Sequence, residues 1–312
     1  MDSNESISKR LLLGCCSRLK CGETVIITKI EVQQKNKQRY SLYVDQKFCM
    51  GISEGTLLHF ILFVGMEVDE ARLDAILEYE RQEVIYLHAI HYLARALRSE
   101  HEVRTYLTKI IAKAKADLNA LEQEDYLMKM APYIESAIER LKGQGYIDDL
   151  FYAESFVRTA MNTNRTGPYV IQMKLKQRGI DQATIEQALA VYPDEVLVEN
   201  LEQLIAKIKQ ANRNQPPKKQ QQKVIQTLIT KGYQRSQIEA ALAAVSFEME
   251  EEDQWRLVEQ AGQKALRSYA KKYDRGQLWQ KIIENLYRKG YDYQLIKQWV
   301  EQAKWEQANE DT

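Results

Sequence analysis

The stretch Gly167–Leu189, GPYVIQMKLKQRGIDQATIEQAL, decides how the rest of the chain is read. It encodes two short helices with a sharp stop between them. Leu175 precedes Gly179 by four positions, and Ile180 follows it. With Gly179 at C′, just past the helix end, Leu175 and Ile180 become the apolar partners of a Schellman stop. Glycine belongs at C′ because the backbone there has positive φ, which a Cβ penalises. Asp181 then stands where the next helix needs an N-cap, and Ile185, Ala188 and Leu189 give that helix an apolar face. On this reading Gly179→Ala costs about 1 kcal/mol of backbone strain.

The device recurs. Leu228, Gly232 and Tyr233 precede Ser236, Ile238, Ala241 and Leu242; Leu286, Gly290 and Tyr291 precede Asp292, Ile296, Trp299 and Val300. A further copy, Leu141, Gly145 and Tyr146, leads into Ile147, Asp148 and Asp149. Shared spacing downstream of each stop predicts a repeated helical unit. Each unit is too small to bury its own core, so neighbours must stack into an elongated, curved array. The expected fold is mostly α: tandem three-helix units at residues 84–147, 148–193, 194–247 and 248–308. The first unit departs from the pattern, because Ile111 stands four residues after Leu107 where a stop glycine is expected. The helix formers of Ala112–Glu124 predict that this helix runs on, and Pro132 is read as opening the next one, which ends at Gly145.

Ahead of the repeats lies an expected small α+β module, residues 24–83, after an extension at 1–23. Thr24–Val32, Arg39–Val44 and Lys47–Ile52 read as a three-stranded meander, with Thr56–Phe63 as the helix against it. Asp69–Glu83 and Val84–Arg98 read as two further helices. Ser99 and Glu102 form the S-x-x-E pattern of a capping box, so a fresh helix begins there.

Composition removes several function classes. Lys+Arg and Asp+Glu are each 44 in 312 residues, which argues against a uniformly basic nucleic-acid binder. The longest apolar run, Phe60–Met66, is far too short to span a membrane, and Leu11–Cys16 is shorter than a signal-peptide core, so a cytoplasmic protein is expected. Cys15, Cys16, Cys21 and Cys49 include no C-x-x-C pair and are expected to be free thiols. His88 and His91 lie on the flank of a helix beside Arg95, which opposes a metal. No H-E-x-x-H, G-x-S-x-G, P-loop or G-x-G-x-x-G occurs, so neither an enzyme nor a cofactor site is expected.

Charge patterning is more informative. Ser155–Arg178 carries Arg158, Arg165, Lys174, Lys176 and Arg178 with no acid. Gln203–Arg235 carries Lys207, Lys209, Arg213, Lys218, Lys219, Lys223, Lys231 and Arg235, again with none. Lys264, Arg267, Lys271 and Arg275 follow a 3-4-4 spacing, one stripe along one helix. Such stretches in a neutral chain predict a positive face for an anionic partner, either nucleic acid or an acidic protein surface.

The chain resembles the RecX family of recombinase regulators. The resemblance rests on Arg98-Ser99-x-x-Glu102-Val103, on Gly145-Tyr146-Ile147-Asp148-Asp149 with Phe151, Tyr152 and Ala153, and on Gly167-Pro168 through Gly179-Ile180 to Ala188-Leu189. Tyr287-Arg288-Lys289-Gly290-Tyr291 and the region Ile27–Val44 are similar to the long form found in low-GC Gram-positive bacteria. The resemblance implies a non-catalytic regulator, with no cofactor, that binds the RecA filament in its helical groove and limits strand exchange or promotes disassembly. A helical-repeat protein that binds single- or double-stranded DNA directly through its basic faces is the alternative. A monomer is expected in either case.

Overall fold

The computed structural model describes residues 24–34, 36–114 and 120–310. The chain forms two compact units: Met1–Ala153 with Lys176–Thr184, and Glu154–Leu175 with Ile185–Thr312.

The first unit opens with strands β1 (Thr24–Gln33), β2 (Asn36–Val44) and β3 (Lys47–Ser53), then helix α1 (Glu54–His59) and strand β4 (Glu67–Asp69). The expected three-stranded meander is therefore a four-stranded antiparallel sheet, in the order β3-β2-β1-β4. The added strand pairs Val68 with Val25, and both side chains are buried. Its alternation is only three residues long, too short to stand out in the sequence. Asp45 and Gln46 both take positive φ (46° and 65°), as the tight turn of a two-residue hairpin requires.

Helix α2 (Glu70–Leu93) packs against the sheet. Two helices were expected over this range, and there is one. The change from acidic to apolar at Glu83–Val84 alters the face of a helix, but no Gly, Pro or capping residue stands there to end it. Its acids are absorbed instead. Glu80 pairs with Arg39 at 2.8 Å, both side chains being less than a tenth exposed. The other Glu80 oxygen accepts from the backbone N–H of Ser53 (2.8 Å) and the Thr56 hydroxyl (2.6 Å). Cys49, expected to be a free thiol, is in a disulfide.

Helix α3 (Glu100–Ala114) starts at the capping box: the Ser99 hydroxyl accepts from the Glu102 N–H, and Glu102 accepts from the Ser99 N–H, both at 3.1 Å. Ile111 is buried within this helix. Residues 115–119, over which the run-on was expected, lie outside the described residues. Pro132 does not open a helix: it lies inside α4 (Ala120–Gly143). The residues before it, Ala120–Ala131, carry no break, and an interior proline can be carried at the loss of one i→i−4 hydrogen bond.

The remaining helices are α5 (Asp149–Asn164), α6 (Pro168–Gln177), α7 (Gln182–Leu189), α8 (Asp194–Ala211), α9 (Pro217–Thr230), α10 (Arg235–Leu242), α11 (Glu251–Tyr269), α12 (Arg275–Arg288) and α13 (Tyr293–Glu310). The chain is thus mostly helical behind a small N-terminal sheet. Gly145, Gly179, Gly232 and Gly290 have φ of +74°, +77°, +91° and +90°. The paired Schellman hydrogen bonds form at three of them: Tyr146, Tyr233 and Tyr291 donate to the carbonyls of Leu141, Leu228 and Leu286, while each glycine donates to the carbonyl three residues before it. Asp148, Asp181 and Asp292 each accept backbone N–H groups at the start of the following helix. At α10 the cap is Gln234, answered by Gln237, so the helix begins a residue before Ser236.

A stop glycine also meets the start of another helix, once within the first unit and twice within the second. A Cβ on Gly179 would lie 2.3 Å from the His101 Cβ, and the Ser99 hydroxyl donates to the Arg178 carbonyl at 2.7 Å. A Cβ on Gly232 would lie 2.5 Å from the Val170 nitrogen. One on Gly290 would lie 3.7 Å from the Lys219 nitrogen. In each joint the carbonyl end of a helix stands on an amide end, which the peptide dipoles favour.

Candidate functional site

The joint at Gly232 builds the most distinctive site of the second unit. The loop after α5 crosses the turn between α9 and α10 so closely that a Cβ on Gly167 would sit 2.4 Å from the Gly232 carbonyl carbon. Gly167 and Tyr169 donate their N–H groups to the carbonyls of Lys231 (2.8 Å) and Gly232 (3.1 Å). In return the Lys231 ammonium donates to the Asn164 carbonyl at 3.0 Å. Arg165, within this loop, takes a left-handed backbone with φ of 47°, and the Tyr233 hydroxyl donates to its carbonyl at 3.0 Å. Behind Tyr233 lie the Tyr192 hydroxyl and the buried Asn200, whose amide donates to Tyr192 (3.1 Å) and to the Met161 carbonyl (3.0 Å). Burial first, and Tyr192 next, push the Tyr233 hydroxyl pKa well up, so it remains a donor.

So held, the Arg165 guanidinium donates through Nε to Gln203 at 2.8 Å, and Arg165 lines an open cleft of about 540 Å³. Arg165, Lys207, Lys223 and Lys231 line this cleft with Gln203, Asn212 and Thr227, and no carboxylate does. Burial, then the charges of Lys207, Arg165 and Lys174, lower the pKa of Lys231. Among the described residues none of the four lining cations forms an ion pair. The cleft can therefore attract an anion and bind it by charge and by amide and hydroxyl donors.

Of the basic residues expected to act, Arg165, Lys207 and Lys223 meet here, with Lys174 near enough to be felt by Lys231. The others lie elsewhere. Arg158 is exposed, 3.6 Å from Glu154. Arg178 belongs to the first unit, where it lies 3.9 Å from Glu102 and over the Tyr152 ring. Lys218 and Lys219 occupy the exposed first turn of α9 beside Gly290. Lys264, Arg267, Lys271 and Arg275 are not one stripe on one helix: α11 ends at Tyr269, Lys271 lies in the following turn, and α12 begins at Arg275. The missed signal is Asp274, whose carboxylate caps α12 by accepting the Gln277 N–H at 2.9 Å. Lys264, Arg267 and Lys271 are exposed, and the Arg275 side chain lies outside the described residues. Sequence reasoning counted Lys231 but did not single it out. Its i+4 relation to Thr227 and i+8 to Lys223, one stripe of α9 ending at the stop, is the pattern that finds it.

No group of three or more His, Cys, Asp or Glu suited to a metal occurs among the described residues. No helix among them is long and apolar enough to cross a membrane.

Three family models match the chain. The regulatory protein RecX N-terminal domain covers residues 25–69, and the RecX second three-helix domain covers 148–189. The RecX third three-helix domain matches twice, at 194–242 and 251–300. Regulatory protein RecX of Halalkalibacterium halodurans is 33% identical over 279 residues, 88% of this chain and 98% of the relative. That of Staphylococcus carnosus is 36% identical over 271 residues, 87% and 95%. A crystal structure of regulatory protein RecX superposes with a TM-score of 0.55 at 34% identity, covering 70% of this chain and 99% of that one. The chain belongs to the RecX family, a family of regulatory proteins and not of enzymes.

Proposed function

We propose that this protein regulates the RecA recombinase filament in recombination and DNA repair, as part of the SOS response, by inhibiting or disassembling it, and that the basic cleft receives the filament's anionic surface. The observation that carries the reading is the convergence of Arg165, Lys207, Lys223 and Lys231 on one cleft that no carboxylate lines, in a chain whose net charge is zero. Such like charge is costly to gather and useful only towards an anion. The outlying Lys218, Lys219, Lys264, Arg267, Lys271 and Arg275 extend the positive surface, whereas Arg158 and Arg178 are already engaged by Glu154 and Glu102. The working protein is a cytoplasmic monomer, divided into the α+β module and four three-helix units, with helix α2 carried across the boundary expected at Glu83–Val84.

Direct binding to single- or double-stranded DNA is the second reading, because unpaired lysines suit phosphates as well as carboxylates. A recombinase ATPase assay and fluorescence anisotropy on bare single-stranded DNA separate the two. The triple variant Lys207→Glu, Lys223→Glu, Lys231→Glu is expected to lose filament modulation, while the wild type binds bare DNA only at about micromolar or weaker near physiological salt. Tight DNA binding by wild type, with recombinase activity unchanged at saturating protein, puts the second reading first.

A further inference from the structure

Helix α1 ends with the hydrogen bonds of the other stops and breaks their rule. The Leu62 N–H donates to the Leu57 carbonyl (3.0 Å), and the Ile61 N–H to that of Leu58 (3.2 Å). That pair of bonds places Ile61 at C′, and its φ is +50°. Glycine holds the corresponding place at 145, 179, 232 and 290. A β-branched residue in this conformation is a genuine outlier, strained by its own Cβ. Ile61 recovers nothing inside the unit, being 76% exposed. Leu58, Phe63 and Val64 are 68%, 56% and 58% exposed.

The loop that carries them is anchored. Leu62 is buried, Gly65 donates to the Ile27 carbonyl (2.8 Å), Ile27 donates to that of Met66 (2.9 Å), and Arg72 reaches the Phe60 carbonyl (3.4 Å). Four large apolar side chains thus stand on a braced turn. Beside it run the exposed acids Glu67, Asp69, Glu70 and Asp74, with Arg72 as the one cation in that run. Acids repel phosphates, which disfavours both nucleic acid and an anionic lipid surface. Apolar side chains framed by acids fit a protein pocket framed by lysines and arginines.

We propose that Leu58, Ile61, Phe63 and Val64 form a docking knob for such a protein pocket, and that this knob is the apolar half of the grip on the recombinase filament. The inference rests on the function proposed above and assigns the opposite chemistry to the opposite kind of surface: cations in the cleft for anions, the acid-framed knob for a cationic, apolar protein face.

The test uses the full chain carrying Ile61→Gly, and separately Phe63→Ser, with binding to RecA–single-stranded DNA filaments measured across a salt series. Ile61→Gly removes the side chain and relieves the strained φ, so the free protein is expected to melt at or above the wild-type temperature. Filament affinity is expected to fall at least tenfold in both variants, while the slope of log K against log salt stays at the wild-type value because no phosphate contact is lost. Filament affinity within twofold of wild type in both variants overturns the proposal. So does a clear drop in the melting temperature of Ile61→Gly, which assigns the side chain to an internal contact. So does a wild-type dimer, seen by sedimentation and abolished by the variants, which assigns the knob to a second copy. If the wild type binds no filaments, the function proposed above falls together with the knob; if it binds and the variants bind equally, the knob falls alone.

Discussion

The first compact unit and the cleft of the second treat their cations in opposite ways. In the first, Arg39 is locked to Glu80, Arg140 to Glu83 at 2.7 Å, and Arg104 makes a two-pronged pair with Glu135 while also reaching Glu100. Lys142 completes that network through the second Glu100 oxygen at 2.8 Å. In the cleft of the second unit the same residue types converge and take only neutral partners: Gln203 for Arg165 and a backbone carbonyl for Lys231. Paired charges in the first unit hold elements together, α3 to α4 and α2 to α4. The cleft cations repel one another and tie segments only through neutral acceptors, which leaves their charge uncompensated for an anion of the kind proposed above.

Removing a partner from the paired side should have the largest effect. Glu80→Ala leaves the Arg39 guanidinium buried without its anion and the Ser53 N–H without its acceptor. A loss of about 3–5 kcal/mol in a denaturant titration is expected, with anion binding at the cleft unchanged. A loss below about 1 kcal/mol would mean that water replaces the pair, as it does at surface sites.

Next in size is Gly179→Ala, which disturbs the joint that keeps Arg178 beside Glu102. Overpacking against His101 adds about 1–3 kcal/mol to about 1 kcal/mol of backbone strain, so thermal melts should show more than strain alone. The alanine variant is therefore expected to cost more than the sequence alone suggests. A cost near 1 kcal/mol would show that the joint gives way easily.

The cleft should respond in the other sense. Lys207→Ala with Lys223→Ala is expected to leave stability within about 0.5 kcal/mol of wild type, because no ion pair is lost and some repulsion is relieved. If each lysine neutralises a phosphate, the salt slope for single-stranded DNA falls by about 0.7 per lysine. An unchanged slope would place the anion elsewhere.

The smallest effect is one of pH. Burial, then Lys207, Arg165 and Lys174, lowers the Lys231 pKa below the ordinary 10.5. Between the lowered value and 10.5 the unfolded chain binds more protons than the folded one, so stability should rise with pH across that window. Anion affinity should fall across the same window as the ammonium is lost. Opposite trends in melting temperature and affinity are the signature, and Lys231→Arg should abolish the affinity trend because a guanidinium stays charged there. Parallel trends would point to general unfolding.

Much of this was legible in the sequence, for local reasons. Positive φ at the stop glycines, the Ser99–Glu102 box and the aspartate caps follow from neighbours within four residues. What was misread depends on partners far along the chain. Glu80 and Glu83 allow one long helix because Arg39 and Arg140 neutralise them. Val68 makes a strand because Val25 lies opposite. The cleft was half legible: acid-free stretches marked Arg165, Lys207 and Lys223. Only the crossing of Gly167 over Gly232 brings them to one place, and it leaves Arg178 and the α11–α12 residues out. Ile111 and Ile61 make the point most sharply. Both stand where a stop glycine would, one buried in a helix that continues, the other exposed on a helix that ends.

The joints between stop and start also bear on how the chain is made. The N–H of Tyr169, free by the rules of a helix start, is satisfied by the carbonyl of Gly232, which emerges from the ribosome 63 residues later. Ser99 likewise waits for Arg178, which is 79 residues downstream. These two helix starts are therefore completed by a later part of the polypeptide, and the amide of Tyr169 should gain protection from hydrogen exchange only once Gly232 is in place. Helix α12 closes differently: its first turn is satisfied by the carboxylate of its own Asp274.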